Sequence, residues 1–321
     1  MSDQQPLESL LRPKKLADYI GQSNVIESLQ LFIDAVSARG EVNEHILLYG
    51  PPGIGKTTLS NILASELHGD LRVTSGPAIE KTGDLAAILT NLKDNDVLFI
   101  DEIHRLPRIV EEALYPVMEE YVLDIIIGKG PAARTVRLPI PRITIIGATT
   151  RLAMLSAPLR DRFGMLLRLD YYKHKDMEEI VRRSAKILEI ALDQPSVLEI
   201  VTRSRGTPRI ANRFLKRVRD YYEVNAIKAM TYETITELFD MLAIDKKGLH
   251  EMDKKYLLHI IEQFEGGPVG VSTLATALAE DRQTIEEFIE PYLMQLGFVK
   301  KTSRGRVATP DAYIHFGKKR K

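Results

Sequence analysis

Eight residues near the start of the chain have the types and spacing of a phosphate-binding loop. They are Gly50-Pro-Pro-Gly53-Ile-Gly55-Lys56-Thr57, which fit the pattern G-x-x-x-x-G-K-[ST]. Glycine has no Cβ, so the backbone N–H groups of such a loop can turn onto phosphate oxygens. The lysine would reach the β- and γ-phosphates, and the threonine hydroxyl would ligate Mg²⁺. The pattern follows an apolar run and precedes a helical one, so the sequence predicts a site for ATP with Mg²⁺.

Two adjacent carboxylates follow a second apolar run. Asp101 and Glu102 end the segment Asp-Val-Leu-Phe-Ile-Asp-Glu, and in open parallel sheets ligands bind at the carboxyl ends of the strands. Two acids after a strand are usually a solvated turn, but beside a phosphate loop they can act on the nucleotide. Asp101 is predicted to hold the Mg²⁺ shell, and Glu102 to orient or deprotonate the attacking water.

Further polar positions could complete a hydrolytic site. A third apolar run ends in Gly-Ala-Thr149-Thr150, where a polar side chain can sense the γ-phosphate. Arg160 and Arg162 follow, and an arginine here can stabilise charge on a neighbouring subunit's nucleotide. Arg162 is the favoured one, and a surface salt bridge is the plain alternative. Arg209 opens a helix, and spacing alone does not separate a nucleotide contact from an ordinary arginine at a helix N-terminus.

Strand and helix patterns place these residues in an α/β fold. Apolar, β-branched runs at 45–50, 96–101 and 142–148 are typical of buried strands, and 56–67 has helical spacing. Buried strands that alternate with helices predict a parallel sheet covered on both faces. Residues 121–141 contain isoleucines and turn residues and predict a β-hairpin inserted before the third strand.

The rest of the chain changes character after Tyr172. Four segments with helical spacing predict a small all-helical unit, at 176–189, 196–204, 208–223 and 232–242. A polar break at 245–248 is followed by a helix–turn–helix pattern and a basic hairpin at 298–308, which together predict a winged helix. We therefore expect three domains, at 1–172, 173–244 and 245–321.

Composition excludes several kinds of protein. The 321 residues contain no cysteine, which rules out disulfides, thiolate zinc sites and a cysteine nucleophile and fits a reducing cytoplasm. The N-terminus has no apolar run typical of a signal peptide, and the apolar runs are too short to cross a membrane. Formal net charge is zero, yet residues 300–321 contain eight Lys or Arg and one Asp. Part of this basic segment falls in the predicted hairpin, and the final residues 318–321 are typical of a solvated tail.

Taken together, the motifs resemble those of the AAA+ ATPases, and more closely those of the RuvB family. Its internal signatures are similar to LYGPPGIGKTTL, DEIHRL, GATTRLAMLSAPLRDRFG and SRGTPRIANR, and its C-terminal domain to GPVGVSTLATAL, EPYLMQLGF and SRGRVAT. The resemblance spans nearly the whole chain. It implies an AAA+ large domain, a helical lid and a winged helix. It also implies an ATP-driven hexameric motor on duplex DNA that drives branch migration of Holliday junctions in recombination and DNA repair.

The resemblance also implies roles for individual residues. The adenine pocket would lie at Leu11, Arg12, Ile20 and Tyr172. Phosphate and Mg²⁺ contacts would come from Gly53, Lys56, Thr57 and Thr58, and further nucleotide contacts from Glu119, Glu120 and Tyr121. Thr150 would be the first sensor, with Thr149 as the near alternative. Arg162 would be the finger given to a neighbour, and Arg209 the second sensor.

DNA and protein partners are implied in the same way. Lys301, Arg304 and Arg306 would contact DNA phosphates from the wing, and such contacts carry no sequence information. The hairpin 124–138 would dock the junction-binding protein RuvA, and a RuvC-type resolvase would be a further partner. Three consecutive isoleucines at 125–127 favour docking over a plain surface excursion of the sheet, since they are hard to bury in a thin hairpin.

Three other functions compete with this one. A clamp-loader-type or origin-initiator-type AAA+ protein could share these domains, but initiators usually read base edges. A nucleotide-switched DNA-binding regulator would hydrolyse little ATP, and the presence of Glu102 and Arg162 argues against it. A protein unfoldase would carry an aromatic pore loop, and the segment PAIEKTGDL, where that loop is expected, contains no aromatic residue.

Overall fold

The computed structural model describes residues 7–40, 44–127, 134–225 and 231–320. The chain divides into two units. The first consists of Met1–Glu189 with Gly206–Arg213, and the second of Ile190–Arg205 with Phe214–Lys321. The predicted nucleotide residues all lie in the first unit, and the predicted wing lies in the second.

A five-stranded parallel sheet forms the centre of the first unit. In order across the sheet, its strands are β2 (Leu71–Ser75), β3 (Val97–Asp101), β6 (Thr144–Thr149), β1 (Ile46–Tyr49) and β7 (Met165–Arg168). The three inner strands are buried almost throughout, as expected for apolar strands covered on both faces. Because all five strands are parallel, the residues that follow the inner strands meet at one edge.

The first unit also contains α-helices, some of which pack apolar side chains against this sheet. The helices are α1 (Leu7–Leu10), α2 (Ser23–Arg39), α3 (Lys56–Glu66), α4 (Thr82–Leu89), α5 (Arg108–Glu120), α6 (Ala157–Arg160), α7 (His174–Ile187) and the first residues of α9 (Pro208–Val224). The predicted α/β class and the three inner strands are confirmed. The sequence missed β2 and β7 because these edge strands are only partly buried and lack a long apolar run.

A buried histidine fixes the register of the sheet near its start. The backbone N–H of Ile145 donates to His45 Nδ1 over 3.0 Å, so the proton is on Nε2, which donates to the Met118 carbonyl over 3.0 Å. Burial lowers the pKa of His45 to about 4, which keeps the ring neutral. The side chain therefore joins β1, β6 and the end of α5.

The predicted hairpin is present as β4 (Val122–Ile127) and β5 (Arg134–Pro139), paired antiparallel. Arg137 pairs across the hairpin with Asp124 (3.1 Å) and joins the hairpin base to the end of α5 through Glu120 (3.2 Å). Ile125 is half-buried and packs on the main apolar core, so the expectation of an exposed side chain is wrong there. The tip, residues 128–133, and the side chains of residues 126 and 127 lie outside the described part.

The second unit combines lid helices with a winged helix. Of the four helices predicted for the lid, this unit contains α8 (Gln194–Arg203), the rest of α9, and α10 (Tyr232–Met241), whereas α7 lies in the first unit. The winged helix contains α11 (Glu251–Leu258), a π-helical turn (His259–Gln263), α12 (Val271–Leu278), α13 (Arg282–Thr284), a second π-helical turn (Ile285–Ile289), α14 (Glu290–Gln295), β8 (Val299–Thr302), β9 (Gly305–Ala308) and α15 (Pro310–His315). Strands β8 and β9 form the predicted wing.

An arginine joins the lid helices to the winged helix inside this unit. Arg205 follows α8, and its guanidinium pairs with Asp253 of α11 over 2.5 Å and lies 4.4 Å from the ring centroid of Tyr292 in α14. The carbonyl of Gly248 accepts two further hydrogen bonds from it.

Among the described residues, no helix is both long enough and apolar enough to cross a membrane.

Candidate functional site

One pocket in the first unit collects most of the predicted nucleotide residues. The predicted residues that line it are Leu11, Arg12, Ile20, Gly53, Gly55, Lys56, Thr57, Thr58, Asp101, Glu102, Thr150, Tyr172 and Arg209. They come from the N-terminal segment, the phosphate loop, the ends of β3 and β6, the segment before α7 and the start of α9. The carboxyl edge of the sheet therefore brings distant parts of the sequence to one place.

The phosphate loop depends on glycine at two positions. Gly53 and Gly55 have φ values of 78° and 107°, which residues with a Cβ rarely adopt. A Cβ at Gly55 would collide with the Tyr19 hydroxyl, and one at Gly53 would lie 2.9 Å from Thr207 Cγ2 and 3.0 Å from Arg209 Cβ. The loop is thus closely covered by its neighbours, and the backbone N–H of Arg209 donates to the Gly53 carbonyl over 3.3 Å.

Lys56 is a buried cation with only neutral hydrogen-bond partners. Its Nζ donates to the carbonyl oxygens of Gly50 (2.9 Å) and Pro51 (2.8 Å), and the residue is 8% exposed. Burial lowers its pKa to about 8, and the nearby Asp101 carboxylate partly opposes this. A buried ammonium without a close counter-ion favours the arrival of an anion such as phosphate.

The two predicted acids, Asp101 and Glu102, both line the pocket but have different surroundings. The Asp101 carboxylate accepts the backbone N–H of Glu102 over 2.9 Å. Glu102 has φ of 47°, a left-handed conformation that costs on the order of 1–3 kcal/mol in a residue other than glycine. Its carboxylate is half-exposed and contacts Arg105 over 3.0 Å. The turn after β3 therefore holds one carboxylate close to the backbone and leaves the other accessible.

The two threonines at the end of β6 have separate environments. Thr149 is buried, its Oγ1 accepts the Arg151 N–H over 2.9 Å, and it also bonds His104 Nδ1 over 2.8 Å. Thr150 is exposed and lines the pocket. This placement favours Thr150 as the residue that reaches the nucleotide, and it leaves Thr149 to join β6 to the turn that carries Glu102.

Tyrosines and an arginine close the pocket on the N-terminal side. The Tyr172 hydroxyl donates to that of Tyr19 over 2.8 Å, and the two lie 3.1 Å and 3.3 Å from the Ile54 carbonyl oxygen. Burial raises the pKa of Tyr172 to about 12. Arg183 of α7 donates to the carbonyls of Leu11 (3.1 Å) and Asp18 (3.0 Å). These bonds fix the N-terminal segment over the phosphate loop.

Four predicted nucleotide residues do not line this pocket. Glu119, Glu120 and Tyr121 lie at the end of α5, where Glu120 pairs with Arg137 over 3.2 Å. Arg162 lies beside them, with Nε 3.2 Å from Glu119 Oε1 and Nη1 donating to the Pro158 carbonyl over 2.7 Å. The structure thus places the finger candidate on a surface separate from its own chain's pocket.

The wing divides its three predicted DNA residues into two groups. Lys301 and Arg304 are exposed, and Lys301 Nζ also lies 3.8 Å from Glu286 Oε1. Arg306 is 6% exposed, and its guanidinium bonds Glu290 at 2.6 Å and 3.1 Å and Glu286 at 2.9 Å. The carboxylates, Glu290 first, raise the pKa of Arg306, and the Arg306 guanidinium lowers the pKa of Glu286. Arg306 is therefore already paired with carboxylates inside the domain, and its contact with DNA phosphate stays a prediction.

Comparison with known proteins identifies the family. The RuvB P-loop domain model, described as that of a Holliday junction DNA helicase, matches residues 11–169. Models of the RuvB AAA lid domain and the RuvB C-terminal winged helix domain match 172–245 and 246–317. The solved structure of the Thermotoga maritima RuvB Holliday junction branch migration motor is 46% identical, covers 97% of this chain and 99% of that one, and has a TM-score of 0.86. The chain belongs to the RuvB family.

Two variants of the same Thermotoga maritima RuvB agree with this assignment. A Lys-to-Arg variant is 46% identical and an Ala-to-Ser variant 47% identical, and each covers 96% of this chain and 99% of that chain with a TM-score of 0.87. As a RuvB-family member the chain is a P-loop ATPase, and the predicted AAA+ large domain, helical lid and winged helix are confirmed. The pocket is accordingly the candidate nucleotide site of this ATPase.

Sequence reasoning missed three polar side chains of this RuvB-family pocket, namely Tyr19, Arg183 and Asn212. Arg183 could have been singled out from the sequence by its helical spacing. It lies beside the buried face of α7 that contains Ile180 and Ser184, whereas Arg182 is exposed. An arginine at the margin of an apolar helix face needs partners. Tyr19 directly precedes the predicted Ile20, but only the fold shows that its hydroxyl reaches the phosphate loop.

Proposed function

We propose that this chain is the subunit of an ATP-driven ring motor that moves duplex DNA and, with RuvA, drives branch migration of Holliday junctions. The observation that carries the proposal is the combination of a P-loop ATPase pocket and a winged helix, in RuvB-family order. The 46% identity to a branch migration motor, over nearly the full length of both chains, supports it.

The pocket residues fit ATP and Mg²⁺. Thr57 supplies a hydroxyl and Asp101 a carboxylate to the same pocket, and these are the hard oxygen ligands that Mg²⁺ prefers. When bound, Mg²⁺ would neutralise charge on the phosphate oxygens. Lys56 would bind the β- and γ-phosphates, and the accessible Glu102 carboxylate would orient the attacking water and accept its proton. Thr150 and Arg209 would sense the γ-phosphate.

The pocket of one chain lacks an arginine from the finger position. Because Arg162 lies outside its own pocket, it would serve the nucleotide of an adjacent subunit, as in AAA+ rings. The same surface carries Glu119, Glu120 and Tyr121, which would contact that neighbouring nucleotide. A shared site makes hydrolysis depend on assembly, and family resemblance favours a hexamer.

The winged helix supports binding to DNA of any sequence. Lys301 and Arg304 are exposed on the wing and suit phosphate, which carries no base information. Glu286 and Glu290 of the preceding helical segment are engaged with Arg306 inside the domain. The RuvB family models favour the motor over the origin-initiator alternative.

Motion would pass from nucleotide to DNA through the second unit. Helix α9 begins with Pro208 and Arg209 at the pocket and continues into the lid. The contacts of Arg205 with Asp253 and Tyr292 would make the winged helix follow the lid.

Two protein partners belong to the proposal. The hairpin 124–138 would dock RuvA, and a RuvC-type resolvase would act at the same junction. The protein would work in the cytoplasm.

A four-way junction assay tests the proposal. A synthetic junction is incubated with the chain, ATP and a bacterial RuvA, and dissociation into duplex arms is measured. We expect dissociation that needs ATP and RuvA and is lost in Lys56→Ala. DNA-stimulated ATP hydrolysis without junction movement would instead point to a clamp-loader-type or initiator-type protein.

A further inference from the structure

The finger arginine rests on an aromatic ring of its own subunit. The Arg162 guanidinium carbon lies 4.2 Å from the centroid of the Tyr115 ring, within the range of a cation–π contact. Nη1 donates to the Pro158 carbonyl, and Nε lies 3.2 Å from Glu119 Oε1. The side chain is only 24% exposed, so most of this long group is held against its own subunit.

The ring is itself held by a carboxylate. The Tyr115 hydroxyl donates to Glu111 Oε1 over 2.9 Å, and the Ser156 hydroxyl donates to the same oxygen. Ser156 also caps α6, because its Oγ accepts the Leu159 N–H over 3.2 Å. One carboxylate oxygen therefore joins α5 to the first turn of the short helix that leads to Arg162.

These contacts fix both ends of the finger segment. The start of α6 is bound to α5 through Ser156 and Glu111. The Arg162 guanidinium, which follows α6, lies on the ring of Tyr115, which is also in α5. An arginine side chain has much rotamer freedom to lose, and orientation of a catalytic group accounts for a large part of its effect. A ring that limits this freedom before a neighbour's phosphate arrives would lower the barrier.

We infer that Tyr115, held in place by Glu111, is a positioning residue for Arg162 and acts on the ATP of the adjacent subunit. The inference rests on the proposed trans role of Arg162. The phenolic oxygen contributes through Glu111, and the ring face contributes through the guanidinium, so the two can be separated by substitution.

Tyr115→Leu and Tyr115→Phe form a matched pair. Leucine keeps apolar bulk but removes the π face, and phenylalanine keeps the face but loses the bond to Glu111. We expect kcat for ATP, with duplex DNA present, to fall about 10–10²-fold in Tyr115→Leu with little change in KM. In Tyr115→Phe we expect a fall of about 2–10-fold, as for one lost hydrogen bond. Equal kcat losses in both variants, with ring assembly intact, would contradict a role for the ring face.

Mixed rings decide in which subunit Tyr115 acts. Lys56→Ala subunits have a defective pocket and an intact finger, so they should restore hydrolysis to Tyr115→Leu subunits. Arg162→Ala subunits should not restore it, because both partners then lack a working finger. If Tyr115 served its own pocket, the two mixtures would give the opposite results, and the inference would be overturned.

A third mixture separates this inference from the proposed function. Arg162→Ala subunits combined with Lys56→Ala subunits should recover hydrolysis if the site is shared. Recovery here, without recovery in the Tyr115→Leu and Lys56→Ala mixture, would overturn the role of Tyr115 and leave the shared site standing. No recovery in the Arg162→Ala mixture would overturn both. Thermal unfolding and nucleotide binding of Tyr115→Leu show whether the variant is folded.

Discussion

The nucleotide pocket and the wing each contain a buried positive side chain, and the two have opposite availability. Lys56 is 8% exposed and Arg306 is 6% exposed. The lysine bonds only carbonyl oxygens, and its pKa falls to about 8. The arginine bonds two carboxylates, and its pKa rises. Burial alone therefore does not decide whether a cation is available to bind phosphate. The charge of its hydrogen-bond partners decides it.

The same comparison explains how each region would hold phosphate. In the pocket, backbone curvature at Gly53 and Gly55 and a poorly neutralised lysine form a concave site for one phosphate chain. In the wing, a buried ion pair holds a hairpin on its helix, while Arg304 and Lys301 are exposed and Lys301 lies only at the edge of contact with Glu286, at 3.8 Å. The first arrangement suits a single ligand geometry, and the second suits a backbone that passes by in any sequence.

Removal of the pocket cation should have the largest effect on turnover. Lys56→Ala deletes the charge nearest the expected β- and γ-phosphates, so we expect kcat for ATP to fall by at least about 10²–10³-fold. Binding of duplex DNA without nucleotide should stay at the wild-type level, since the wing is in the other unit. Steady-state ATP hydrolysis and fluorescence anisotropy of labelled duplex measure the two. A parallel loss of both would show that the regions do not act separately.

Disruption of the buried pair in the wing should cost stability first. Arg306→Met leaves Glu290 buried with only the Tyr256 hydroxyl, and loss of one partner of a buried pair costs about 3–5 kcal/mol. Chemical unfolding of the full chain measures this loss. Weaker binding to duplex DNA should accompany it because the hairpin loses its anchor.

A double variant separates anchoring from phosphate contact. Arg306→Met with Glu290→Met replaces the ion pair by apolar side chains, and such replacements are often neutral or stabilising. If Arg306 only anchors the wing, stability and DNA affinity should both return towards wild type. Restored stability with DNA affinity still lost would show that Arg306 contacts phosphate directly.

The contrast also shows how far the sequence could predict the site. The phosphate loop, Asp101 and Glu102 were predictable because local patterns fix strand, loop and helix, and parallel strands place their carboxyl ends together. Arg306 was not, because its partners Glu286 and Glu290 are 20 and 16 positions away and only the folded wing brings them near. Charge on a basic hairpin indicates a phosphate surface but does not show which cations are already paired.

The fold class was predicted correctly, but two strands and one side chain were missed for a related reason. The inner strands β1, β3 and β6 are apolar runs because both their faces are covered, whereas β2 and β7 lie at the edges and mix exposed with buried positions. Ile125 was predicted to be exposed, yet it packs on the core because α5 ends beside the base of the hairpin. In each case burial depends on tertiary packing, which the local apolar pattern does not reveal.

Affinity for ATP should depend on pH through Lys56. With a pKa of about 8 without ligand, the side chain is charged below that pH, and phosphate would raise its pKa further. Since the charged form binds, affinity should be constant below about pH 7 and fall about tenfold per pH unit above pH 8. Titration with a fluorescent ATP analogue between pH 6.5 and 9.5 measures this. Lys56→Arg stays charged and should lack the decline; a decline in both would place the titrating group elsewhere.

Single changes at the exposed cations of the wing should give the smallest effects, and these are best seen as salt dependence. Each lysine or arginine that contacts phosphate releases counterions, so Lys301→Ala or Arg304→Ala should reduce the slope of log K against log salt by about 1 for each bound subunit. Lys318→Ala is the matched control, because Lys318 lies off the hairpin and pairs with Glu262 over 2.7 Å. Anisotropy titrations from low to moderate salt give the slopes. A wild-type slope in all three variants would mean that DNA does not contact the wing. A reduced slope confined to the Lys301 and Arg304 variants would mark these two residues as its phosphate surface.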